Sequence, residues 1–190
     1  MTETSFDFLD GNGPVAAHKH LNGGGWVANT ATVNATAYVS CDARVSGNAC
    51  VFGNACVFGN AHVYDNAHVY DNARVFGNAC VFGNAHVSGN ARVFGNAHVY
   101  DNAHVSGNAR VFGNACVYGN AHVQKTPLHI SGGIYPVTVT ETHLFIGCLG
   151  YSIDQWLSFK KGGKQLTPTQ YADWVAHKKL ILQLIKLHNG

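Results

Sequence analysis

The chain has 190 residues and a formal net charge of +2, with 12% charged and 46% hydrophobic residues. That apolar content excludes a disordered chain, and the shortage of charge excludes a coiled coil, which needs abundant Glu, Lys and Leu. The small net charge names no polyanion partner, but its distribution is uneven: Arg44, Arg74, Arg92 and Arg110 lie in the middle of the chain and every lysine lies outside it.

Residues 1–26 read as a capping segment with Phe6, Phe8, Leu9 and Trp26 as its apolar content. Met1 to Asp10 carries Glu3, Asp7 and Asp10 and has no apolar h-region, so no signal peptide is expected. The most apolar stretch, Leu180 to Leu187, is broken by Gln183 and Lys186 and is too short to span a bilayer. Cysteines at 41, 50, 56, 80, 116 and 148 form no C-x-x-C, which speaks against a disulfide framework or a zinc ribbon. Reduced thiols and a cytoplasmic location are the expectation.

Residues 27–126 are an uninterrupted repeat. From Val27 to Val123 a valine recurs every six residues, and from Ala31 to Ala121 an alanine stands two places before each later valine. Asn follows Gly or Asp at every corner from Asn48 to Asn120, giving the unit V-x-[G/D]-N-A-x. Valine is β-branched and suits an inward strand position, so the residues flanking it point outward. Gly and Asn tolerate positive φ and supply the bend, and only a small Ala fits inward after it. Each hexad is one short strand and one bend, and stacked hexads make a solenoid.

Sorting the residue before each valine every 18 positions separates three columns. One holds Thr32, Cys50, His68, His86, His104 and His122; a second holds Tyr38, Cys56, Arg74, Arg92 and Arg110; the third is mixed, with Arg44, His62, Cys80, His98 and Cys116. Sorting every 12 scrambles them. The prediction is an all-β solenoid with three faces per 18-residue coil, a triangular prism roughly 26 Å long at the usual strand spacing of about 4.8 Å.

V-x-G-N-A-x closely resembles the hexapeptide repeat of the left-handed parallel β-helix superfamily, whose members are commonly trimers. The left hand is implied by that resemblance alone, since ordinary crossovers favour the right hand. The flanks, His18-Lys-His-Leu-Asn-Gly-Gly-Gly-Trp-Val27 and Val137-Thr-Val-Thr-Glu-Thr-His-Leu-Phe-Ile-Gly-Cys148, look like uninterrupted β-helix proteins of phages and prophages. The resemblance implies a sponge that sequesters cyclic-nucleotide immune signals.

Residues 127–190 read as a small C-terminal α+β module. Tyr135–Thr140 and His143–Cys148 alternate like a hairpin around Glu141-Thr142. Ser152-Ile-Asp-Gln155 is a capping box opening a short helix that Gly162-Gly163 ends. Thr167-Pro168-Thr169-Gln170 opens a second helix to about His188, apolar at Tyr171, Trp174, Val175, Leu182 and Ile185. The module is expected to cap the solenoid or to drive higher assembly, without an active site.

Beside the arginine column runs Phe58, Phe76, Phe94 and Phe112, and the mixed face carries Tyr64, Phe82, Tyr100 and Tyr118. Bare aromatic stripes of that length point to burial in a homotrimer. Guanidinium groups in register repel by roughly 0.9 kcal/mol per neighbouring pair even in bulk water. The offset is expected from Asp65, Asp71 or Asp101 across an interface, from aromatic stacking, or from a bound anion. Arg74, Arg92 and Arg110 are the expected phosphate ligands, Phe76, Phe94 and Tyr100 the base-stacking residues, and His86, His98 and His104 weaker hydrogen-bonding candidates. Two other origins stay open: interface packing, and duplication of one 18-residue block over 72–125.

The function expected is thus non-catalytic capture of a small anionic nucleotide by a homotrimer, with no cofactor, no metal, no membrane and no long nucleic acid. No two histidines differ by five positions, which disfavours the H-x4-H pair of trimeric β-helix carbonic anhydrases. Acyltransferases of the superfamily typically extrude a loop from the coils. The uninterrupted repeat lowers that alternative, in which a histidine serves as base toward coenzyme A, without removing it. A purely structural β-helix is the third reading.

Overall fold

The structure is a computed structural model, and it describes residues 4–131, 135–147, 149–160 and 166–189. Its centre is a parallel β-solenoid of two- to four-residue rungs running from Trp26–Ala28 to His122–Val123. The rungs stack in three sheets with partners 18 residues apart: Arg74 on Arg92, His86 on His104, and Cys80 on His98. The predicted three-faced winding is therefore the observed one. We call these sheets the arginine, histidine and mixed faces.

The interior is a column of valine and alanine, with every Val from Val39 to Val123 fully buried. From Ser46 onward the corners are four-residue turns; Phe52–Ala55, for example, is closed by Ala55 N–H donating to Phe52 O at 3.3 Å. Positive φ falls on the first central residue alone, Gly53 at 66°, the type II′ pattern. Asn, expected to share that conformation, has a different task. Its amide donates to the Asn one coil on, as in Asn48→Asn66→Asn84→Asn102→Asn120 at 3.1 to 3.3 Å. These ladders pair side chains that a lone corner would leave to water.

The N-terminal residues form a hairpin, β1 (Ser5–Asp7) and β2 (Pro14–Lys19), that continues the mixed face antiparallel to its first rung. Phe8 is buried, and Phe6 stacks on Trp26 at 4.5 Å. Leu9, expected inside the cap, is 72% exposed, because its φ of 59° turns the side chain away. The glycine run before Trp26 lets that loop lie on the next coil: Gly25 N–H donates to Val39 O at 2.9 Å, and a Cβ there would collide with Ser40 O and the Val39 side chain.

At the other end the expected hairpin is the middle of a four-stranded antiparallel meander, Leu128–Ile130, Val137–Val139, His143–Ile146 and Leu149–Ser152. Both capping boxes form, at Ser152/Gln155 and Thr167/Gln170. Helix α1 spans Ile153–Ser158 and ends at Phe159; Gly162 and Gly163 lie outside the described residues. Helix α2 spans Pro168–Asn189. It packs through Trp174, Ile181 and Ile185 onto Trp156, Val139 and Leu144, whereas Val175 is exposed. The helical period from Trp174 reaches Ile181 and Ile185, so Val175 falls outside the buried stripe.

Candidate functional site

The arginine face aligns like-charged side chains on successive rungs. Register places Arg74, Arg92 and Arg110 on successive rungs, with Arg74 and Arg110 exposed and Arg92 half-buried. Their side chains have no hydrogen bond or ion pair with any described residue, whereas Arg44 donates to Phe8 O and lies over the Phe6 ring. The aspartates expected to offset them are otherwise engaged. Asp65, Asp71 and Asp101 sit at corners, and their carboxylates accept the backbone N–H of Gly83, Gly89 and Gly119 one coil on, at 3.1 to 3.2 Å. Three like charges are thus aligned with no counter-charge from those corners.

Beside them the phenylalanines form a ladder of parallel rings, with centroids 4.8 Å apart from Phe58 to Phe76 and from Phe76 to Phe94, and 5.4 Å from Phe94 to Phe112. That spacing changes the role expected of Phe76 and Phe94. A base between two rings needs about 7 Å, two carbon contact distances, so these rings offer a ligand their edges rather than their faces. The ring at the end of the ladder, Phe112, is 39% exposed and is the better stacking platform. Sequence reasoning placed Phe112 in the stripe but not in the site, because a rung at the end of a column looks like any other in the repeat.

The remaining candidates lie elsewhere. Tyr100 stacks between Phe82 and Tyr118 on the mixed face at 4.8 and 4.7 Å, and His98 meets Phe82 edge-on at 6.5 Å on the same face. His86 and His104 are on the histidine face, in a stacked column with His68 and His122 at 4.6 to 4.8 Å. Burial first, then the neighbouring imidazoles, holds His86 and His104 below the ordinary histidine value. Within one chain the nine candidates therefore divide over three faces. The five arginine-face residues are the largest group on one surface, and a ligand touching more than one face would need a groove where two chains meet. Among the described residues no three His, Cys, Asp or Glu side chains are grouped to hold a metal ion.

One concavity was not anticipated. The segment around Phe8–Asp10 overhangs the start of the mixed face above Arg44, His62 and Tyr64. Its signal in the sequence was negative: this is the column whose residue types refuse to repeat.

Coils, corners and columns together define a parallel β-solenoid protein. Within it, residues 73–89, 85–101 and 103–119 match the family model described as YdcK Beta solenoid repeat. The chain is similar to that family over these coils; each match opens on an alanine of the hexad, Ala73, Ala85 or Ala103. Comparison with curated proteins and with solved structures returned no match. No described helix is long and apolar enough to cross a membrane.

Proposed function

We propose that the protein is a non-catalytic β-solenoid that assembles as a homotrimer and captures a small anionic nucleotide on its arginine face. The observation that carries this reading is the ladder of Arg74, Arg92 and Arg110, in register and without an anionic partner among the described residues. Guanidinium forks bind phosphate oxygens in pairs, and neutralising them relieves the repulsion stored in the column. Phe112 supplies a face for a base, and the edges of Phe76 and Phe94 line the approach. In a trimer the half-buried ring ladders are covered, and the mixed or histidine face of a neighbour brings His98 and Tyr100, or His86 and His104, to the groove. Binding without turnover suits a sponge for a cyclic-nucleotide signal, the role implied by the phage-type resemblance, in a host cytoplasm. The uninterrupted coils from Val27 to Val123 leave the acyltransferase alternative without a cofactor loop.

The test is native mass spectrometry of protein purified from cells, followed by calorimetric titration with cyclic di- and trinucleotides. The expected result is a trimer that retains a ligand, releases it intact on heating, and loses it when all three arginines are replaced by glutamine. A hydrolysed product, or stabilisation by acetyl-coenzyme A, would make the protein an enzyme. One rival reading has an observation behind it: continuous ring ladders on two faces also serve pure assembly. In that case the arginine substitutions change oligomer stability and bind no nucleotide in either form.

A further inference from the structure

The overhang at the N-terminal end of the mixed face forms one side of an open-mouthed cavity of about 330 Å³, at the lower end of the size range of small-molecule sites. Its floor comes from consecutive rungs, with Arg44, His62 and Cys80 from the column before valine and Ser46 and Tyr64 from the column after it. Its wall is Phe8, Leu9 and Asp10 from the N-terminal segment.

The loop is held in place by polar contacts to the floor. Arg44 Nη1 donates to Phe8 O at 3.3 Å and Ser46 Oγ donates to Asp10 Oδ2 at 3.2 Å, while within the loop Asn12 N–H donates to Asp10 Oδ1 at 3.1 Å. Leu9 is kept at a φ of 59°, a conformation costly for a branched side chain, and such strain persists only where the surroundings enforce it.

The electrostatics of the cavity are specific. Arg44 supplies a fixed cation and Asp10 a carboxylate, and no ion pair joins the two. The other polar groups are kept uncharged. Burial, then Arg44, lowers the His62 value; burial, then Cys80, Asp65 and Asp10, pushes the Tyr64 hydroxyl up to about 12; burial raises the Cys80 thiol. A purely anionic ligand would meet the Asp10 charge, a cationic one would meet Arg44, and an apolar one would leave both desolvated.

We propose that this cavity binds a small zwitterion of the α-amino-acid class, with its carboxylate on Arg44, its ammonium on Asp10 and its side chain against the exposed Leu9. His62 and Tyr64 supply the orienting hydrogen bonds. The site is independent of the arginine ladder and needs no second subunit.

The experiment is calorimetric titration of the full chain with each of the common L-amino acids. The best binder is then compared with its amide, which lacks the carboxylate, and its N-acetyl form, which lacks the ammonium. Removing either charge should weaken binding about tenfold or more, the scale of one lost charge-assisted contact. Asp10→Asn keeps an acceptor for the loop; it should weaken the amino acid to a similar degree and leave the N-acetyl compound unchanged. Protein with Arg74, Arg92 and Arg110 all replaced should bind the amino acid as the parent does, which separates this site from the nucleotide reading. No binding by any amino acid at millimolar concentration, equal binding of all three forms, or preference for the N-acetyl form would each overturn the proposal.

Discussion

Along the corner that follows the mixed face, residues alternate Gly47, Asp65, Gly83, Asp101 and Gly119, all at φ between 57° and 67°. Each side of the alternation has its own cause. A Cβ on Gly83 would stand 2.9 Å from Asp101 N, so a coil beneath an aspartate must present glycine. The aspartate tolerates the left-handed region, and its carboxylate takes up the backbone N–H of Gly119 at 3.2 Å. Asp101→Ala keeps the unfavourable φ and removes that bond. It should cost about 1–2 kcal/mol, whereas Asp101→Gly, which relieves the conformation, should be nearly neutral. Thermal unfolding of the two variants beside the parent distinguishes them, and equal losses would show that the carboxylate bond alone matters. Gly83→Ala should cost more than either, since backbone rather than a flexible side chain blocks the new methyl group. That a corner needs Gly or Asp was legible in the hexad. The vertical alternation was not, because it depends on contacts between residues 18 apart.

A rung gains its electrostatic character from the rungs above and below it. The histidine face stacks His68, His86, His104 and His122, and His143 of the C-terminal sheet feels the end of that column through His122. Values for His86, His104 and His143 are all lowered, by burial first and by neighbouring imidazoles second. A depressed histidine takes up protons more readily in the unfolded chain. Stability is therefore complete above the unfolded value of about 6.5 and falls as pH drops below it toward the folded values. Melting temperature should be flat between about pH 7 and 8 and decline toward pH 5, and replacing His86 and His104 by Asn should flatten the decline. A profile unchanged by the double substitution would place the acid sensitivity elsewhere, at His62, His129 or His143, whose values are lowered as well. The columns were readable from the sequence because an 18-residue period is one-dimensional. The cavity at the N-terminal end was not, because it needs Phe8–Asp10 brought against residues 44–80 by a hairpin no period announces. The division of the nine expected ligands over three faces was implicit in the same sorting that found the arginine ladder.

At the scale of the molecule, a solenoid is a stack whose weak points are its ends, where a coil lacks a neighbour and its backbone edge lies open. The two ends are closed differently. The N-terminal hairpin adds two antiparallel strands to one face, while the C-terminal meander sets a plug into the column itself. Phe145 is 2% exposed and belongs to the same core as the valines and alanines of the coils, with its ring 4.7 Å from Tyr118. Glu141 Oε1 accepts the N–H groups of Gln124 and Lys125 at 2.8 and 2.5 Å, and Thr126 Oγ accepts that of Arg110 at 3.2 Å, so donors freed where the coils stop are met by side chains. Phe145→Ala removes the plug and should cost roughly 3–4 kcal/mol in cap docking. In a quasi-one-dimensional structure that loss stays local. Hydrogen exchange should therefore quicken over residues 110–123 while residues 62–87 keep their protection, and light scattering should report self-association as the uncovered edge finds another chain. Exchange quickening evenly along all coils would instead mean that the cap and the solenoid unfold as one cooperative unit.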